Sequence, residues 1–231
     1  MPPTMRAATL LLVDARFPAG AHAHSAGMER AVAMGLVRDL ADVAGWAHDV
    51  LHTAGLTAAA VAARACRLAQ ANDPGDLQAW DDLDAEVDAR LVSPAQRRVS
   101  RRLGRQLLRS ARRVWQAPLL DDVAGRWPGG PHRPVAWGAA VGVTGGTPDQ
   151  AAQGEAFGSV TTPVTAAVRL LGLDPVDGAA VVARLASDID DVSEAATLAS
   201  FDDALLPARS APVLDLCAEL HGTEQGALFA S

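Results

Sequence analysis

Ala23-His24-Ser25-Ala26-Gly27 places a serine after a histidine and two positions before a glycine. This is the Gly-x-Ser-x-Gly nucleophile elbow with alanine in place of the first glycine. The elbow exposes its serine on a strained turn between a strand and a helix, on a mostly parallel sheet. A serine hydrolase using Ser25 is therefore one chemistry to weigh. His22 and His24, two residues apart, could ligate one metal from an extended segment, but two ligands leave such a site incomplete. His48 and His52 have the i, i+4 spacing that also suits metal binding. No glutamate follows His48, so the metalloprotease signature is absent. The carboxylates Asp81, Asp82, Asp84, Glu86 and Asp88 lack the glycine and distal glutamate of a calcium loop, and read as a solvated helix face. The glycine-rich run before Thr147 is not followed by Gly-Lys-Ser/Thr and is no phosphate loop.

The elements that must position these residues read as helices. The chain has 231 residues, of which 49% are hydrophobic. Much of that is alanine, the best helix former. Aromatic residues are 4% and tyrosine is absent, which leaves little for strands. The expected fold is all-α: a single-domain bundle of about ten helices over 1–231, with flexible ends near 1–5 and 219–231. The four or five strands that an elbow at Ser25 requires cannot be found, and a helix N-cap explains that serine without catalysis. Net charge is −7, which argues against nucleic acid as a partner. Cys66 and Cys217 lie far apart and form no CxxC pair, as in a reduced cytoplasmic protein with buried thiols. No apolar run is long enough to cross a membrane.

Several boundaries have physical signals. Pro18 and Gly20 mark a turn, Ser25 and Gly27 begin a helix with Glu29 in its first turn, and Gly35 stops it. Asp39 caps the next helix, and another follows Gly55. Ser93-Pro94 starts a long helix with arginines 98, 101, 102, 105, 109, 112 and 113 on one side. Val99, Leu103, Leu107, Ala111 and Val114 lie on the other. Residues 116–134 read as a long loop. Gly138 and Gly142 leave room for a neighbouring helix, and Thr147-Pro148 and Asp174-Pro175 begin further helices. Residues 5–14 fit either a helix or a strand, and 188–206 read as helical.

With these residues in view, the chain resembles the urease accessory protein F (UreF) family from about Leu10 to Phe229. The strongest part is Phe17-Pro18-Ala19-Gly20-Ala21, then Ser25, Gly27, Glu29, Gly35 and Val37-Arg38-Asp39. Leu103-Gly104-Arg105 is similar to a family Gly-Arg, and Ala139 with Gly142 also matches. Thr165-Ala166-Ala167-Val168-Arg169-Leu170 resembles the family's Ala-Ala-Val-basic-Leu. Glu219-Leu220-His221 with Leu228-Phe229 resembles the family's terminus. The chain departs from the pattern at His22 and His24, where many members carry aromatics. It departs again at Leu171-Gly172-Leu173-Asp174 and at Ala227, where an arginine is common.

The resemblance implies an all-α, dimeric, non-catalytic, cytoplasmic chaperone without a cofactor of its own. It would bridge UreD (also called UreH) and the GTPase UreG on the urease apoprotein during nickel insertion. By position, Glu29 and Arg169 are candidates for contact with UreG or for gating nickel transfer. Arg105, His221, Leu228 and Phe229 complete the candidate interface. Pro18, Gly20, Ser25 and Gly27 are the structural turn and cap, and no metal site is expected. The alternatives are a serine hydrolase through Ser25 and a small metal-binding protein through His22 and His24.

Overall fold

The computed structural model describes residues 7–14, 16–19, 24–71 and 77–221. Among them the regular structure is entirely helical, as expected. The first half comprises α1 (Ala7–Val13), α2 (Met28–Ala33), α3 (Leu40–Val50), α4 (Leu56–Ala69), α5 (Leu77–Arg90) and α6 (Pro94–Val114). The second comprises α7 (Pro118–Arg126), α8 (Arg133–Val143), α9 (Pro148–Leu171), α10 (Pro175–Arg184), α11 (Ala186–Ala199) and α12 (Pro212–His221). The stretch open to helix or strand is thus helix α1, and α11 ends before Ser200.

Small residues place α4 at the centre. Ala59, Ala60, Val61, Ala62, Ala63, Ala65 and Cys66 are all buried, so the helix is enclosed on most sides. α8 packs against it through Gly138 and Gly142. A Cβ on Gly138 would stand 2.1 Å from the Ala62 carbonyl oxygen, and one on Gly142 would stand 2.6 Å from Ala69 Cβ. The backbones therefore approach to a distance that alanine would forbid. α9 lies along α4, α8 and α11, and one continuous apolar cluster draws on residues from Leu12 to Cys217.

Four of the expected N-caps form. Asp39 Oδ1 accepts from Ala41 N and Asp42 N, both at 3.0 Å. Ser93 Oγ accepts from Gln96 N at 3.1 Å. Thr147 and Gln150 make a reciprocal capping box. Asp174 accepts from Val176 N at 2.8 Å. α2 closes on Gly35, at φ +72°. There Gly35 N donates to Val32 O and Leu36 N to Ala31 O, both at 2.9 Å, which makes a Schellman motif.

Two expectations need correction and one needs completing. α4 follows Gly55 as expected, but with no break before it: α3 passes into α4 through a single wide π-turn, Leu51–Gly55. The glycine serves contact instead, since a Cβ there would stand 2.7 Å from Ser159 Oγ on α9. The segment 116–134 is not all loop. Pro118 starts α7, which buries Leu120 and Val123. On α6, Val99, Leu103, Leu107 and Ala111 are buried as expected, but Val114 is 51% exposed. It is the last helical residue, beyond the reach of the core.

Candidate interaction site

The opening turn is fixed to α6. The Ser110 hydroxyl donates to the Pro18 carbonyl at 2.7 Å. Phe17 is buried with its ring 5.7 Å from that of Trp115. Gly20 and His22 lie outside the described residues. Ser25 is fully buried, and its carbonyl accepts from Met28 N at 3.1 Å. It is not the N-cap of α2; that position belongs to Gly27. Ala26 and Gly27 are consecutive left-handed residues, at φ +50° and +79°. This double bend turns the chain two residues later than the sequence signal suggests. A Cβ on Gly27 would meet Leu214 Cδ1 on α12 at 2.6 Å, so glycine is required here twice over.

α12 is clamped to the start of α6. Glu219 Oε1 accepts from the Ser93 hydroxyl at 2.6 Å and from Ala95 N at 2.8 Å. A carboxylate thus supplements the serine cap at the positive end of the helix. The Ser93 hydroxyl, and then the Ala95 amide, hold Glu219 below its ordinary pKa. One turn earlier, Asp215 accepts from Gln96 Nε2 at 3.0 Å, and burial pushes its carboxyl upward. His221 ends this helix, while Leu228 and Phe229 lie outside the described residues.

Beneath α12 lies a cavity of about 230 Å³, lined by residues of α6, the π-turn, α9 and α12. A second hollow of about 330 Å³ lies between α1, the opening turn, α8 and α9. His24, Leu103, Arg133, Gly158 and Thr162 line both. Arg169 is exposed on the second, with Asp14, Phe17 and Phe157 among its neighbours. Glu29 is half-buried on α2 and lines neither. Arg105 is exposed on α6, where its guanidinium donates to the Gly129 carbonyl at 3.3 Å. The candidate interface residues that are described therefore fall on separate helices rather than in one cluster.

The most connected polar group was not legible as a site in the sequence. His132, fully buried, meets two helices, α5 and α6, at once. Its backbone N–H donates to Asp84 Oδ1 at 3.0 Å, its Nε2 lies 2.9 Å from Asp88 Oδ1, and its Nδ1 lies 3.0 Å from Ser100 Oγ. Arg101 pairs with Asp84 at 2.8 Å and with Asp88 at 2.5 Å. Arg133 N donates to Ser100 Oγ at 3.1 Å, and the Arg133 guanidinium pairs with Glu155. Glu155 is buried beside the smaller cavity. Its Oε2 has no hydrogen-bond partner among the described residues. Burial pushes His132 below its ordinary pKa. Asp84 opposes that shift, and Arg101 reinforces it. Burial alone would raise Asp88, but the hydrogen bonds from His132 and Arg101 outweigh it and hold that carboxyl low.

Gly104 makes this group possible. A Cβ there would stand 2.1 Å from the Pro131 carbonyl oxygen, so only glycine lets the 129–133 segment lie on α6 and deliver His132 inward. Asp84, Asp88 and His132 are close enough to suggest a metal site. The Arg101 guanidinium already supplies the positive charge between the two carboxylates, and Ser100 occupies the remaining imidazole nitrogen. Ser100, His132 and Asp88 also have the connectivity of a catalytic triad. However, Ser100 is held inside a helix by the Arg133 amide, and Arg101 neutralises the carboxylate. What this arrangement does is tie α5, α6 and α8 together.

The arginine side of α6 divides in two. Arg101 points to α5, and Arg112 pairs with Asp121 on α7. Arg98, Arg102, Arg109 and Arg113 remain exposed. The acidic helix neutralises Arg101 of the stripe, and its Asp81 pairs separately with Arg126 on α7.

Among the described residues, the triad-like cluster is consumed by structural bonds, and the helices carry caps, clamps and hollows instead. The family defined by UreF matches residues 37–186. A urease accessory protein UreF of Mycobacterium sp. (strain JLS) is 43% identical over 223 residues, covering 96% of this chain and 97% of that protein. Those of Mycolicibacterium vanbaalenii and Mycobacterium tuberculosis are 39% and 36% identical, covering 97% and 99% of this chain. They are covered over 98% and 100% of their own lengths. The chain belongs to the UreF family. The relatives are accessory proteins rather than catalysts, and this chain is not an enzyme.

Proposed function

We propose that this chain is a urease maturation factor. In this reading it acts as one all-α unit over 1–231 and works as a homodimer in the cytoplasm. It joins UreD/UreH and the GTPase UreG on the urease apoprotein and assists insertion of nickel, which is cargo rather than a resident cofactor. The observation that carries the reading is similarity to urease accessory proteins along almost the whole chain. The sequence agrees: it has no lysine, and so no phosphate-loop Gly-Lys-Ser/Thr, which leaves nucleotide hydrolysis to a partner. Among the described residues, no helix is long and apolar enough to cross a membrane.

Glu29 and Arg169 are proposed as contacts for UreG or as gates for nickel. Arg105, His221, Leu228 and Phe229 are proposed as further docking residues. Arg169 suits this role by its exposure at the larger hollow, and His221 by its place at the end of α12. Arg105 remains exposed although it also braces the 129–130 turn.

Co-expression with UreD and UreG, followed by affinity capture and size exclusion, tests the proposal. Recovery of a complex that carries both partners is expected. Glu29→Ala and Arg169→Ala should weaken it without loss of helical circular dichroism. Recovery of neither partner by the intact chain would overturn the reading.

A further inference from the structure

The junction between α3 and α4 carries two histidines that the polar groups described above do not use. His48 and His52 are spaced i, i+4 across the start of the π-turn. Their ring centroids lie 4.5 Å apart, with the planes inclined at 49°. His48 is half exposed, and its Nδ1 lies 3.2 Å from Asp49 Oδ1. Among the described residues, the His52 ring makes no hydrogen bond. The Thr53 hydroxyl donates to the Asp49 carbonyl at 2.6 Å, which braces the backbone where the wide turn begins.

We propose that His48 and His52 form a surface site for a divalent first-row transition metal such as Ni(II), held through two imidazole nitrogens. Imidazole is the side chain that suits these ions. The Asp49 carboxylate beside Nδ1 favours the tautomer that donates from Nδ1 and leaves Nε2 to a metal. Metal-binding histidines commonly have this outer arrangement. The rings are already in contact on one rigid helical segment, so little ordering remains when an ion arrives. The pair supplies only two protein ligands, and water or a ligand on a second protein completes the coordination. Open positions distinguish an exchangeable site from a closed structural one. Wide π-turns inside helices also recur where a helix carries a functional site. The Asp84–Asp88–His132 group offers no competing site on this chain, since Arg101 and Ser100 hold its ligand atoms.

The site is a property of the isolated chain and stands apart from the partner complex. Calorimetric titration of the full chain with NiCl2 tests it, beside His48→Gln, His52→Gln and the double variant His22→Ala/His24→Ala. One Ni(II) per wild-type chain is expected. Affinity should fall at least tenfold in either single variant and persist in the His22/His24 variant. Ni(II) should also raise the melting temperature of the wild type and not that of the His48 or His52 variants, because a ligand that binds only the folded state stabilises it. His48 and His52 are surface positions, so unchanged helicity checks that the variants fold. Wild-type affinity in His48→Gln and His52→Gln overturns the proposal, as does loss only in the His22/His24 variant or no binding by the wild type. Partner capture by the His48 and His52 variants reports separately on the scaffold reading.

Discussion

Glu219 and Ser93 are joined by a 2.6 Å hydrogen bond across 126 residues of chain. The same carboxylate oxygen takes the Ala95 amide, so the last helix completes the N-terminus of the long central one. Position 219 is thus a folding residue, whatever the segment beyond it does. Glu219→Ala should lower the melting temperature. Because Glu219 is held below its ordinary pKa of 4.5, its contribution is present above that value. It is lost as the pH falls through the lower, folded-state value. Melts between pH 3 and 7 check this: the difference between wild type and Glu219→Ala should shrink at the acidic end. Equal melting of the two at pH 7 would show that the bond does not stabilise the fold.

His132 sets a second acid sensitivity. Its pKa is depressed in the folded chain, first by burial, from an ordinary 6.5. Below that value the unfolded chain binds a proton that the folded chain refuses, so stability falls as the pH drops from 6.5 towards the folded value. His132→Ala should cost about 3 kcal/mol at pH 7, because it leaves paired carboxylates and a guanidinium without a central partner. It should also flatten the slope of stability just below about pH 6.5. Urea unfolding across that range measures both effects. An undiminished slope in the variant would assign the sensitivity to another group.

These two residues show where the sequence was informative and where it was not. Ser93-Pro94, Thr147-Pro148, Asp39 and Gly35 have local chemistry, and each marks a helix end within a residue or two. Glu219 and His132 act through partners 124 and 48 residues away, and no local pattern signals such pairs. Ser25 misleads for the opposite reason. Its type suits a cap, but the left-handed pair Ala26-Gly27 moves the helix start to Met28. The arginine stripe was visible as a period, yet its division between Asp84, Asp88, Asp121 and solvent depends on how α5 and α7 pack. α7 itself was hidden among prolines and glycines in a segment that reads as loop.

Glycines divide in the same way, and substitution should separate the two kinds. Gly45 is in α3 with nothing within 4 Å of a new Cβ, so Gly45→Ala should stabilise the chain by about 0.5–1 kcal/mol. Gly138 faces the Ala62 carbonyl at 2.1 Å, and Gly138→Ala should destabilise by roughly 1–3 kcal/mol as α8 is forced from α4. Chemical denaturation of both variants tests the pair. A stabilising Gly138→Ala would mean that the two helices are less closely packed than described.

Ser100, and not only the elbow-like Ser25, must be weighed as a nucleophile: it has an imidazole partner in His132, and its surroundings determine what it can do. Its Oγ accepts the Arg133 amide at 3.1 Å and lies 3.0 Å from His132 Nδ1. The carboxylate behind the imidazole is paired with Arg101, which weakens the stabilisation an imidazolium would need. A fluorophosphonate probe should therefore label neither serine in the folded chain. Ser100→Ala should instead appear in stability, at a cost of about 1–2 kcal/mol for a lost hydroxyl between two buried partners. Intact-mass measurement after probe treatment, together with denaturant unfolding of the variant, checks both outcomes. Labelling of the wild type that disappears in Ser100→Ala would make the cluster a nucleophile site and overturn its structural assignment.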